Sequence, residues 1–230
     1  MSTPAFQIGA PRTPTRAMLV ALGLVAAICG LIIVVAYEAS LGSVKENRRV
    51  AMERAIHKVL PGAALTVAYL ALPNGSITLA GSEEAPDDAM PFHAAFDAAG
   101  QLMGIAAEGM AKGYAGNVRI MFGYSPGCDC VVGFGVVSMQ ETPGIGDKIL
   151  KDANFLANFK ALDVRLAKDM KTLANEVKTV KHGTKTQAWQ IDAISGATVT
   201  SRAVGRAIND AAQALLPVLV PQIDKIGPSK

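Results

Sequence analysis

NVRIMFGYSPGCDCVVGFGVVSM, residues 117–139, decides the fold class. Val118, Ile120, Phe122 and Tyr124 alternate with polar or small residues. That period of two marks a strand with one buried face. Pro126-Gly127 turns the chain, and residues 131–139 return, which predicts an antiparallel hairpin. Upstream the same pattern recurs. Residues 65–72 and 76–80 flank Pro73-Asn74-Gly75, and residues 91–96 and 101–108 flank a short turn over 97–100. This is a meander, not the strand–helix alternation of a parallel sheet. Downstream the periodicity changes. Residues 152–160 predict a short helix, because Phe155, Leu156 and Phe159 share one face. Residues 162–180 fit neither period, and residues 186–191 predict a strand. A helix is expected over 198–216, with Val204, Ile208, Ala211 and Leu215 on one face and Arg202, Arg206, Asn209 and Asp210 opposite, interrupted at Pro217. The sum is an α+β fold: an antiparallel sheet flanked by helices.

Ahead of this domain, residues 17–37 read AMLVALGLVAAICGLIIVVAY, without a single charge. A helix of that length spans roughly 30 Å, the thickness of a bilayer's hydrocarbon core. A lone segment in lipid must satisfy its backbone internally, so a helix is the expected form. A cleaved signal peptide needs a shorter apolar region and a small-residue cleavage site, which Tyr37-Glu38-Ala39-Ser40 matches poorly. The expected division is therefore a cytoplasmic tail over 1–16, a transmembrane helix over 17–37 and an extracytoplasmic domain over 38–230. Arg12 and Arg16 precede the span with no acidic residue, which favours the N-terminus inside. A second helix is expected over 43–60, where Met52, Ala55, Ile56 and Val59 repeat at three and four until Pro61-Gly62.

With 230 residues, half of them hydrophobic, the chain can bury a sizeable core beside its anchor. Net charge is +3; beyond the span, 20 Lys and Arg face 19 Asp and Glu. No basic stripe with interleaved aromatics is present, so a nucleic-acid partner is excluded. Cys128 and Cys130 are too few for a four-ligand metal site and read as two ordinary thiols at a turn, with a disulfide or a redox role as the other readings. His57, His93 and His182 match no ligand spacing and read as surface or helix-face residues. No metal site and no catalytic dyad is expected.

Two segments carry chemistry. The first is Asp192-Ala-Ile-Ser195-Gly196-Ala197-Thr198-Val-Thr200-Ser201, at the passage from expected strand to expected helix. Free backbone N–H groups and the helix dipole make such a junction an anion site, and Gly196 and Ala197 leave room for a bulky group. It also reads as an ordinary helix cap, with Ser195, Thr198 or Thr200 as the capping side chain. The second is Glu141-Thr142-Pro-Gly144-Ile-Gly146-Asp-Lys148, a sharp loop at a strand end whose backbone can lie against a flat ring; taken alone it also reads as only a turn.

With these two motifs about fifty residues apart behind one anchor, the chain resembles the G subunit of the Rnf (Rsx) ion-translocating electron-transport complex. It is also similar to the C subunit of the sodium-translocating NADH:quinone reductase. The resemblance implies an FMN-binding domain whose FMN is joined by a phosphoester to Thr198, placed there by a transferase that takes FAD and releases AMP. It implies that Ser195, Gly196, Ala197, Thr200 and Asp192 belong to the attachment motif, and that Glu141, Thr142 and Gly144 lie beside the isoalloxazine. The partners it implies are membrane, iron–sulfur and flavin subunits of one complex, the flavin transferase, and lipid. The implied location is the bacterial cytoplasmic membrane, with the domain on its outer side. The chain is then an electron-carrying component of a complex, not an independent enzyme. A stand-alone membrane-anchored flavin reductase, the quinone-reductase flavoprotein, and an assembly module with a mere helix cap are the other readings.

Overall fold

The computed structural model describes residues 14–81, 86 and 88–228. Arg12 and most of the expected tail lie outside the described residues. The chain divides into two compact units, Met1–Arg49 and Val50–Lys230. Helix α1, Thr15–Val59, begins in the first. There Leu19, Leu22, Leu31 and Ile33 are all exposed. Among the described residues α1 is the one helix long and apolar enough to cross a membrane.

In the second unit, β1 (Leu65–Ala71), β2 (Ile77–Leu79), β3 (Met90–Phe96), β4 (Leu102–Lys112), β5 (Asn117–Ser125), β6 (Cys130–Met139) and β7 (Leu162–Asp163) form one sheet in the order β2-β1-β3-β4-β5-β6-β7. Every pairing is antiparallel. Successive side chains point to opposite faces, so the sheet has two cores. Ile105, Ala107, Ile120, Phe122 and Val131 bury against helix α3 (Thr198–Leu219) and the short helix α2 (Ala153–Ala157). Ala95, Ala106 and Met121 face the other way, onto Ala55, Ile56, Val59 and Leu60 from the end of α1. Two short parallel strands, β8 (Lys178–Val180) and β9 (Gln190–Asp192), lead into α3.

The expected meander is present strand for strand, and the residue faces expected of α3 hold. Elsewhere the structure differs. The strand expected over 186–191 shortens to Gln190–Asp192, because the Gln190 side-chain carbonyl accepts the Thr186 N–H at 2.8 Å and the Gln187 N–H at 3.2 Å and bends the chain into a turn. Pro217 lies inside α3, which runs on to Leu219. In the last turn a proline forfeits only one backbone bond, and Leu215, Leu216 and Leu219 remain buried. Cys128 and Cys130 are not free thiols: the β5–β6 turn brings their Cα atoms within 5.1 Å and they form a disulfide. Asp129 between them has φ +50°. Its carboxylate accepts the Tyr124 hydroxyl at 2.8 Å. Burial, and then that bond, push the phenol pKa upward, so Tyr124 stays a donor throughout the ordinary pH range. His93 is neither on a helix nor fully exposed; it sits half-buried on β3, and burial lowers its pKa.

α3 reaches the sheet closely only where β4 lacks a side chain. A β-carbon at Gly109 would lie 2.8 Å from the carbonyl carbon of Ala207 and nearer still to its oxygen. Backbone meets backbone there, so nothing flexible can yield. Gly109→Ala is expected to lift α3 from the sheet and to cost about 2–3 kcal/mol. A lower midpoint in urea unfolding at unchanged slope checks this; an unchanged midpoint would show the packing to be looser than the structure has it.

Candidate functional site

Three segments meet at the first turn of α3. The loop after β6 begins with Glu141, whose carboxylate braces the other two. One oxygen accepts the backbone N–H groups of Tyr114 at 2.9 Å and Ala115 at 3.3 Å, in the β4–β5 turn. The second accepts the Thr200 hydroxyl at 2.8 Å. The loop then folds on itself as the N–H groups of Ile145 and Gly146 reach the Thr142 carbonyl.

The β9–α3 junction is held from below. The Asn158 side chain accepts the Asp192 N–H at 3.0 Å and donates to the Asp192 carbonyl at 3.3 Å. Lys185 donates to the same Asn158 oxygen at 3.0 Å. Burial lowers the Lys185 pKa, and the Asp192 carboxylate works against that. Ser201, fully buried, accepts from the Ile194 N–H at 3.1 Å and donates to the Ala197 carbonyl at 2.9 Å. Gly196, at φ +82°, takes the chain round a corner that a side chain would strain.

The helix starts from Ala197 with no side-chain cap. None of Ser195, Thr198 or Thr200 therefore caps it, and the ordinary-cap reading does not hold. The first-turn N–H groups and the positive end of the helix dipole remain available to an anion. The two threonines differ. Thr200 is buried and bonded to Glu141. Thr198 is half-buried, and its hydroxyl makes one long contact, 3.5 Å, to the Ile194 carbonyl.

Around Thr198 opens a groove of about 400 Å³. Gly196, Ala197, Thr198, Val199 and Thr200 form one wall, Glu141, Thr142 and Ile145 a second, and Tyr114 a third. Ser195, Asp192 and Gly144 are not part of it. They line a larger cavity of about 590 Å³ on the other side of the junction, with Asp147, Lys148, Lys151, Asp152 and His182. The Asp192 carboxylate there accepts the Gly183 N–H at 2.7 Å and stands 3.5 Å from His182. That cavity is the larger, but Thr198 does not reach it, so the groove is the better candidate for a group carried on Thr198. Sequence reasoning missed Tyr114, Ile145 and Val199 as groove residues, and Asn158 as the side chain that holds Asp192. The Gly113-Tyr-Ala-Gly116 run, an aromatic flanked by turn residues, was the one available signal for Tyr114.

Residues 113–213, which include the groove and most of α3, match the family model of the FMN-binding domain. Over most of its length the chain is similar to the G subunit of the ion-translocating oxidoreductase complex of Shewanella piezotolerans, 29% identical over 190 residues, which are 81% of this chain and 82% of the relative. Two solved structures share the fold. One is the NqrC of Shewanella oneidensis, with TM-score 0.58, 19% identity, and coverage of 79% of this chain and all of the other. The second is the C subunit of the sodium-translocating NADH-quinone reductase of Parabacteroides distasonis, with TM-score 0.60, 20% identity, and coverage of 78% and 97%.

Proposed function

We propose that this protein carries FMN as a phosphoester on Thr198 and relays electrons as a membrane-anchored component of an ion-translocating ferredoxin/NAD oxidoreductase complex. The observation that carries the attachment is the contrast between the two groove threonines. The Thr200 hydroxyl is committed to Glu141, whereas the Thr198 hydroxyl stands in the groove at an uncapped helix start. The residues present fit the group. The first-turn amides and the dipole of α3 offset a phosphodiester charge. The groove admits a planar ring system, and Glu141 fixes the distance between its walls. FMN, when bound, accepts and releases electrons singly or in pairs; the protein positions it and tunes its potential. Attachment needs FAD and a transferase: the Thr198 oxygen forms the new bond to the FMN phosphorus, the pyrophosphate bond breaks, AMP leaves, and the hydroxyl proton is released. Asp192, turned away from the groove, belongs in this reading to recognition by the transferase.

The test is direct. The full chain, purified from its native membrane and denatured, should keep its flavin through a denaturing gel and fluoresce under ultraviolet light. It should co-purify with iron–sulfur and membrane subunits before denaturation. Flavin that washes out on denaturation would exclude the ester, and a chain isolated without partners would favour a stand-alone reductase.

We place the domain outside the cytoplasm, on a single-pass anchor. Two features support this: Arg16 just before the apolar run, and a disulfide at Cys128–Cys130, a bond that persists in oxidising compartments. Protease added to cells with an opened outer layer should therefore digest the unit Val50–Lys230. Protection of that unit until the cells are lysed would reverse the orientation.

A further inference from the structure

We infer that Tyr114 is the stacking partner of the flavin ring and that Ile145 and Val199 complete an apolar seat for it; this rests on the attachment proposed above. Seven large hydrophobic side chains are exposed among the described residues beyond Val50: Leu65, Leu79, Met110, Tyr114, Ile145, Met170 and Val199. Three of the seven line the one groove that holds Thr198. Their exposures are 73% for Tyr114, 50% for Ile145 and 45% for Val199. They come from three separate segments, so local sequence does not explain their convergence. Exposed apolar surface gathered around a concavity marks a place where a ligand covers it.

Tyr114 is also held in place. Its backbone N–H and that of Ala115 are bonded to Glu141, which fixes the turn that presents the ring although the ring itself makes little protein contact. Among the groove residues it is the sole aromatic. A flat conjugated ring tethered at Thr198 gains most from offset stacking on a second aromatic. Glu141, by contrast, has both carboxylate oxygens engaged by donors within the protein. The contact surface for the ring is thus apolar and aromatic, with the carboxylate behind it as a brace.

A phenol in van der Waals contact with an excited flavin donates an electron to it and quenches its emission; the electron then returns, so no net oxidation occurs. Phenylalanine stacks equally well but does not donate. The experiment uses the full chain, matured with its flavin, as wild type, Tyr114→Phe and Tyr114→Leu. Flavin content is read after denaturation, and fluorescence yield and visible circular dichroism are read in the folded state. Equal flavin content is expected in all three, because attachment is made at Thr198. Folded wild type should be dim and brighten severalfold on unfolding. Both variants should be bright while folded. The dichroism of the flavin bands should persist in Tyr114→Phe and fall in Tyr114→Leu. Full flavin with fluorescence as low as wild type in both variants would overturn the stacking and leave the attachment standing. Wild-type protein without covalent flavin would overturn both.

Discussion

Thr198→Val is expected to give a folded chain with no flavin after denaturation, whereas Thr200→Val keeps its flavin and loses stability. Only Val199 separates the two residues in the first turn of α3, but they have different partners. Valine at 198 removes a hydroxyl held by a single contact of 3.5 Å, so folding barely changes while the nucleophile proposed for the ester disappears. Valine at 200 removes a buried hydroxyl that donates to a carboxylate at 2.8 Å. A hydrogen bond to a charged group is worth about 1.5–3 kcal/mol, so a loss of about 2 kcal/mol is expected in urea unfolding. Thr198→Ser retains an oxygen at the same site and should retain some flavin, which separates loss of the nucleophile from loss of shape. Flavin content is read by in-gel fluorescence and stability on the unmodified chain. Flavin retained in Thr198→Val and lost in Thr200→Val would move the attachment along the helix to Thr200 and make the bond to Glu141 something that maturation must break.

Much of this was legible before the structure. The alternation of Val118, Ile120, Phe122 and Tyr124 placed β5, and the returning run after Pro126-Gly127 placed β6, because in an antiparallel pair pattern and turn are both local. The amphipathic face of α3 was legible for the same reason. What failed was set by side chains that bond the backbone a few residues away, which the hydrophobic period does not register. Gln190 folds back on Thr186 and Gln187 and shortens a strand that its composition suggested. The sequence offers three capping candidates for the helix start and the structure uses none, because Ser201, one turn inside the helix, ties the preceding corner instead. Within the site, the motif residues were found but not their sides. Thr198 and Thr200 face the groove, while Ser195, Asp192 and Gly144 face the neighbouring cavity. Sequence spacing cannot tell the two sides of a corner apart once a glycine at φ +82° turns it. Tyr114 was missed because it enters the groove from the β4–β5 turn, ahead of both motifs in the sequence.

Glu141→Leu should loosen the groove and cost about 3 kcal/mol, since it removes a carboxylate that binds three donors from two other segments. The Thr200 hydroxyl is then left buried without its acceptor, while the Tyr114 and Ala115 amides, nearer the surface, recover water. Two further variants separate bracing from charge. In Glu141→Gln the side-chain oxygen still accepts from the turn amides and its NH₂ can meet the Thr200 oxygen, so most of the stability should remain. One negative charge beside the groove is gone, however, and a nearby carboxylate disfavours the anionic reduced flavin. The midpoint potential should therefore rise. Gly113→Ala does the reverse: its β-carbon would run into the Glu141 carboxylate and lie 2.8 Å from a Val118 methyl, so the brace is displaced with its charge intact. Stability should fall, and the Tyr114 turn should lose its register with Thr198. Redox titration and urea unfolding of the three matured proteins make the comparison. If Glu141→Leu unfolds at the wild-type midpoint and its potential is unmoved, the three hydrogen bonds do not hold the groove together, and its walls are set by packing alone.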